Sequence, residues 1–108
     1  MTLDELFEIM KDKAGKVSLA DPVTASILLN IAGGAPRSWL VKINGTTVAV
    51  HDSPPAGNPD LEVSTSEDVL LKVAGKELSP MAAFFTGKIK VKGDTGLISH
   101  LKSLWPES

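Results

Sequence analysis

Apolar and polar positions follow changing periods along this chain, and each change of period marks an element. Leu3, Leu6, Phe7 and Met10 recur at i, i+3, i+4 and i+7, the stripe of an amphipathic helix. Thr2-x-x-Glu5 opens it as a capping box, each side chain meeting the other's backbone N–H, and Gly15 offers a stop. After Asp21-Pro22 the helical period disappears. Thr24–Ala32 (TASILLNIA), Ser38–Ile43 (SWLVKI), Thr46–His51 (TTVAVH) and Leu61–Thr65 (LEVST) read as four strands, expected to pair antiparallel. Gly33-Gly34-Ala35-Pro36 separates the first two, and the proline-bearing stretch Asp52–Pro59 is a loop. Asn44-Gly45 predicts a type I′ hairpin turn, because both of its central positions require positive φ.

The faces follow from the alternation. Ile27, Leu29 and Ile31 share one side of their strand, as do Trp39, Val41 and Ile43, and Val48 and Val50. One side of the sheet is therefore continuously apolar and needs a cover.

Helical period returns at Ser66-Glu67-Asp68, a hydroxyl cap with two acids at the positive end of the helix dipole. Val69, Leu70, Val73 and Ala74 form its apolar side and Gly75 ends it. Ser79-Pro80 starts a second helix, with proline at the first helical position. Met81 to Phe85 make that helix apolar nearly all round, and Gly87 closes it. Phe84 and Phe85 are adjacent, so one is expected in the core and the other against a ligand or partner. Lys88–Lys92 alternates strictly, with Ile89 and Val91 inward and the lysines outward, a pattern suited to a sheet edge. Gly93-Asp94 turns into a last amphipathic helix carrying Leu97, Ile98, Leu101, Leu104 and Trp105. Strands first and helices after predict an α+β layered fold with the helices on one face. The 108 residues suit one domain.

Composition then removes function classes. With no cysteine there is neither a disulfide framework nor a thiolate metal site. A net charge of -2, from Lys+Arg 11 against Asp+Glu 13, carries no electrostatic footprint for nucleic acid. No stretch has the length or apolarity of a signal peptide or of a membrane helix, so a cytoplasmic protein is expected.

Catalytic chemistry is sparse. His51 and His100 lie far apart in sequence and read as ordinary imidazoles, and no metal or cofactor site is expected. The serines show no G-x-S-x-G elbow, and the acid pairs Asp4/Glu5 and Glu67/Asp68 serve helix starts. Gly93-Asp94-Thr95-Gly96 lacks the length and the Lys-Ser/Thr ending of a phosphate loop and reads as a capped turn. What remains is an apolar surplus on the two last helices, and a basic strip, Lys88, Lys90 and Lys92, that suits a solvated strand face or an anionic membrane surface.

The run Pro80-x-x-Ala83-Phe84-Phe85-x-Gly87-Lys88-Ile89-Lys90-Val91-Lys92-Gly93-Asp94, preceded by Thr65-Ser66-Glu67-Asp68 and Leu78-Ser79 and followed by an apolar helix, resembles the sterol carrier protein 2 lipid-binding domain. Trp39–Ile43 before a hairpin turn fits the same pattern, and the likeness spans about residues 24 to 105. Glu77 stands as a one-residue insertion, and the N-terminus and the missing peroxisomal tripeptide suggest a stand-alone prokaryotic member. The resemblance implies a five-stranded, mostly antiparallel sheet with helices over one face and an apolar tunnel between them. It implies a non-catalytic carrier of a fatty acyl chain, acyl-CoA, phospholipid or sterol-like ligand, monomeric or homodimeric. The expected lining is Trp39, Val41, Leu70, Val73, Met81, Phe84, Phe85, Leu97, Leu101, Leu104 and Trp105, with Leu97 to Trp105 as a lid. A second reading is an accessory subunit, for example in isoprenoid-quinone metabolism, whose apolar groove takes a partner or a second copy.

Overall fold

A computed structural model describes residues 2–16, 22–33, 37–52, 57–98, 100 and 104. The elements are α1 (Leu3–Lys16), β1 (Val23–Ala32), β2 (Arg37–Gly45), β3 (Thr47–His51), β4 (Leu61–Ser66), α2 (Glu67–Ala74), α3 (Pro80–Phe85) and β5 (Lys90–Gly93), followed by a 3-10 turn at Thr95–Leu97. The strands form one sheet in the order β3-β2-β1-β4-β5. The predicted α+β fold is the observed one. The final helix expected through Leu101 and Trp105 lies mostly outside the described residues.

The face assignment holds strand by strand. Leu29 pairs with Trp39, Ile27 with Val41 and Ala25 with Ile43 across β1 and β2, while Val41 pairs with Val50 and Ile43 with Val48 across β2 and β3. On the other flank Ile27 and Leu29 sit beside Leu61 and Val63, and Val63 beside Val91. These side chains join Leu3, Leu6, Met10 and Ala14 of α1, Leu70 and Ala74 of α2, and Leu97 and Leu104 in one apolar cluster.

One pairing differs from expectation: β4 runs parallel to β1, not antiparallel. The reason is positional. β1 is the middle strand, and burial on both sides reaches Leu28 at 7% exposure as well as its inward neighbours. The run SILLNIA is near-continuously apolar, as suits a strand beside a parallel partner, although Ser26 and Asn30 on its outer side are only half-buried. The opposite face is tied by polar bonds across three strands, with Asn30 Nδ2 donating to Glu62 Oε2 at 3.1 Å and Ser64 Oγ at 3.4 Å, and Ser38 Oγ donating to Asn30 Oδ1 at 3.4 Å.

The hairpin turn also shifts. Asn44 pairs with Thr47, so the two central residues are Gly45 and Thr46, and the positive φ falls on Gly45 alone at 69°. Glycine first with a negative φ following fits the type II′ pattern, not I′. At the start of α1, the Glu5 N–H donates to Thr2 Oγ1 at 3.2 Å, while the Thr2 hydroxyl donates to Glu5 Oε1 at 3.2 Å, so the second half of the box is a side-chain pair.

The end of α2 shows why Gly75 does not carry the turn by itself. Gly75 has φ -84°, and the left-handed position falls one residue later, on Lys76 at φ 62°. The Glu77 N–H donates to Lys72 O at 2.8 Å and the Lys76 N–H to Val73 O at 3.2 Å, the bond pair of a Schellman cap. Glycine is the residue that adopts this conformation without a Cβ clash. Lys76→Gly is therefore expected to stabilise the fold by about 1 kcal/mol, read as a higher urea midpoint at an unchanged m-value.

Candidate functional site

The predicted lining residues separate into a buried group and an exposed group. Trp39 and Val41 on β2, Leu70 on α2, Leu97 and Leu104 belong to the apolar cluster that fills the space between sheet and helices. Val73 is buried on α2. Met81, Phe84 and Phe85 on α3 are 63%, 49% and 76% exposed. Leu101 and Trp105 lie outside the described residues.

The exposure of both phenylalanines corrects the expectation that one of them enters the core. Ala83 is the buried residue of this short helix. Its carbonyl accepts from the N–H groups of Lys88 at 2.9 Å and Ile89 at 3.3 Å, and Thr65 Oγ1 donates to Lys88 O at 3.1 Å, which ties the end of α3 to β4. The Ser79 side chain caps the other end by accepting from the Ala82 N–H. With the small alanine turned inward, Met81, Phe84 and Phe85, at i, i+3 and i+4, form a single stripe on the outside. The two phenyl rings meet edge to face with centroids 6.0 Å apart.

Two open clefts border the core. One, of about 300 Å³, lies at the link from α2 to α3 and is lined by Val73, Lys76, Leu78, Ser79 and Pro80. The other, of about 630 Å³, lies between α1 and β3 and is lined by Phe7, Lys11, Ala14, Gly15, Val48, Ala49, Val50, His51 and Asp52. Among the nominated residues that are described, only Val73 lines either cleft. The α1–β3 cleft was missed, although Phe7 on the helical stripe and Val48 on a short edge strand were the signal for it.

Trp39 is the centre of the helix–sheet contact. Its indole is fully buried, stands against the Phe7 ring at 5.3 Å and 54°, and lies 5.7 Å below the Arg37 guanidinium. Its Nε1–H has no hydrogen-bond partner among the described residues. Arg37 binds Asp52 at 2.7 Å and Asp4 at 2.9 Å, tying the end of β3 to the start of α1. The hydrogen bond to Asp52 and then that to Asp4 hold the Arg37 pKa above its ordinary value. Among the described residues no group of three or more His, Cys, Asp or Glu side chains could hold a metal ion. None of their helices is long and apolar enough to cross a membrane.

Residues 3–105 match the SCP-2 sterol transfer family. The chain is 29% identical to hydroxysteroid dehydrogenase-like protein 2 of Homo sapiens over 106 residues, 94% of this chain and 24% of that protein. It is 36% identical to sterol carrier protein 2 of Rattus norvegicus over 73 residues, 67% of this chain and 13% of that protein. The chain thus spans about a quarter, or less, of the length of these curated relatives. Among solved structures, that of palmitated SCP2L2 from Aedes aegypti superposes with a TM-score of 0.78 at 28% identity, covering 94% of this chain and 91% of that one.

Proposed function

Because the chain belongs to the SCP-2 sterol transfer family, we propose that it is a non-catalytic lipid-binding and lipid-transfer module, residues 1–108 acting as one cytoplasmic domain. The ligand class is a fatty acyl chain, carried free or as part of an acyl-CoA or phospholipid. The observation that carries the reading is the outward stripe of α3 beside the α2–α3 cleft, in which Met81, Phe84 and Phe85 stand exposed. An acyl chain laid along that stripe and into the cleft would gain roughly 0.8 kcal/mol for each methylene it buries, with no need for polar anchors. Val73 and Leu78 in the cleft, with Leu70 and Leu97 beneath, are the proposed inner wall. Trp39 and Val41 support it from the sheet. Leu101, Leu104 and Trp105 are the proposed lid. The palmitated state of the Aedes aegypti relative favours an acyl chain over a ring system.

Native mass spectrometry and organic extraction of the purified chain are expected to find a bound acyl lipid. A delipidated chain is expected to take up a fluorescent fatty acid, with Met81→Ser/Phe84→Ser lowering the affinity at least about tenfold. Protein that emerges ligand-free and takes up none sinks the reading. A ligand-free dimer with the Phe84/Phe85 side covered would turn it toward an accessory subunit.

A further inference from the structure

We infer that β3 is a self-association edge: two copies of this chain pair β3 with β3, antiparallel about a two-fold axis at Ala49, and join their sheets into one.

β3 ends the sheet, with β2 on one side and no strand on the other. The α1–β3 cleft runs along that free side. It is lined by Val48, Ala49, Val50, His51 and Asp52 without a break, so side chains from both faces of the strand border it. Asn44 and Thr47 flank a two-residue turn and so form a hydrogen-bonded pair, after which bonded and non-bonded pairs alternate along the ladder. Thr47, Ala49 and His51 therefore turn their N–H and C=O groups toward β2, while Val48 and Val50 turn theirs toward the cleft. Among the described residues neither valine makes a backbone bond beyond the hairpin.

The two ends of the sheet are protected differently. β5 carries Lys90 and Lys92, both exposed, and a second β5 laid beside it would set lysine against lysine. β3 holds no lysine, arginine, acid or proline, and its register with β2 is unbroken by any bulge. An edge that lacks all of these devices accepts another strand.

The outward groups of β3 match a second copy of themselves. With Ala49 opposite the partner's Ala49, Val48 meets the partner's Val50 and Val50 meets the partner's Val48. Each of these pairs exchanges both of its hydrogen bonds, so every outward N–H and C=O of the two valines is satisfied in both copies. Ala49 then falls at a non-bonded position, where facing side chains come closest, and its exposed methyl group is small enough to meet its own copy about the axis. On the inner face the partner's Val48 and the partner's Val50 enter the cleft beside Phe7 and Ala14. They would cover Phe7 and Val48, which are only half-buried in the single chain. No charged side chain of β3 meets another. The α3 stripe stays free in this arrangement, because α3 is tied to β4, on the other side of β1 from β3.

Sedimentation equilibrium and light scattering of the full chain are expected to show a monomer–dimer equilibrium that shifts to the dimer as concentration rises. Amide exchange at Val48 and Val50 is expected to slow in step with it. Ala49→Glu places a carboxylate opposite Lys42 within its own hairpin, and so keeps the fold by circular dichroism. The two introduced acids would face each other across the axis, and association is expected to weaken at least about fivefold. Val48→Pro removes an N–H that the hairpin does not use and is expected to weaken association at least about tenfold. An equimolar mixture of Ala49→Glu and Ala49→Lys chains is expected to associate again. A wild-type chain that stays monomeric at every concentration overturns the inference. So does a dimer indifferent to Ala49→Glu and Val48→Pro, a dimer that Phe85→Ser dissolves, or a mixture no more associated than either Ala49 variant alone.

Discussion

Trp39→Ala is expected to lower stability by about 3–5 kcal/mol. A domain of this size typically has about 5–15 kcal/mol in all, so this variant stands near the edge of folding at room temperature. The loss has two sources. The indole is fully buried between β2 and α1, and its removal strips the Phe7 ring of its partner and the Arg37 guanidinium of the face it stands over. The void opens beside Phe7 of α1, within the apolar cluster that also holds the fully buried Leu6 and Met10. Trp39→Phe is the informative companion. It keeps a ring against Phe7 and removes the Nε1–H that has no partner among the described residues. An unpaired buried N–H carries a cost of about 1–3 kcal/mol, which offsets much of the volume lost. The phenylalanine variant is therefore expected to lose less than half of what alanine loses. Urea unfolding followed by far-ultraviolet circular dichroism measures both. Equal losses in the two variants would show that the indole N–H is satisfied in solution.

Gly93→Ala is expected to destabilise by about 3 kcal/mol or more. Gly93 has φ 113°, and a Cβ built on it would lie 2.3 Å from the carbonyl oxygen of Asp60. That carbonyl is not free to retreat. It accepts the Asp94 N–H at 2.9 Å, while the Asp60 N–H donates to Ser26 O at 2.9 Å and the Asp60 carboxylate accepts the Ser26 N–H at 2.8 Å. Asp60 thus joins the ends of β1, β4 and β5, and a methyl group at Gly93 would displace all three. Gly45→Ala is the control, because φ is 69° there too but nothing lies within 4 Å of the added Cβ. It is expected to cost about 1 kcal/mol, the conformational penalty alone. Similar midpoints for the two variants in urea would remove the close-approach argument and leave only the backbone conformation.

These two residues also mark how far the sequence could be read. Trp39 was assignable to the buried face from the alternation SWLVKI, and its neighbours across the sheet followed from the same period. Its unpaired N–H was not, since an acceptor can come from any part of the chain. Gly93 was legible as a turn before the capped Asp94, whose side chain does accept the Gly96 N–H at 3.0 Å. The carbonyl that forbids a side chain at Gly93 comes from Asp60, more than thirty residues earlier, and no local pattern names it. Likewise Asn44-Gly45 announced a hairpin, while the pairing of Asn44 with Thr47 decided which two residues are central. Gly75 announced a helix end, and the left-handed residue proved to be Lys76.

The sequence by itself determined which residues belong to helices and strands, which side of the sheet is apolar, where helices are capped, and the family motif from Pro80 to Asp94. These are properties of neighbouring residues, written by backbone period, hydroxyl caps and glycine within a few positions. Only the tertiary structure decided that β4 lies parallel to β1, that Asp60 closes on Gly93, and that α3 turns Ala83 inward and Met81, Phe84 and Phe85 outward. Those outcomes depend on which distant surfaces compete for burial. The inner face of the sheet is already filled by α1, α2, Leu97 and Leu104. The apolar stripe of α3, of which one phenylalanine was expected in the core and the other against a ligand or partner, faces outward with both.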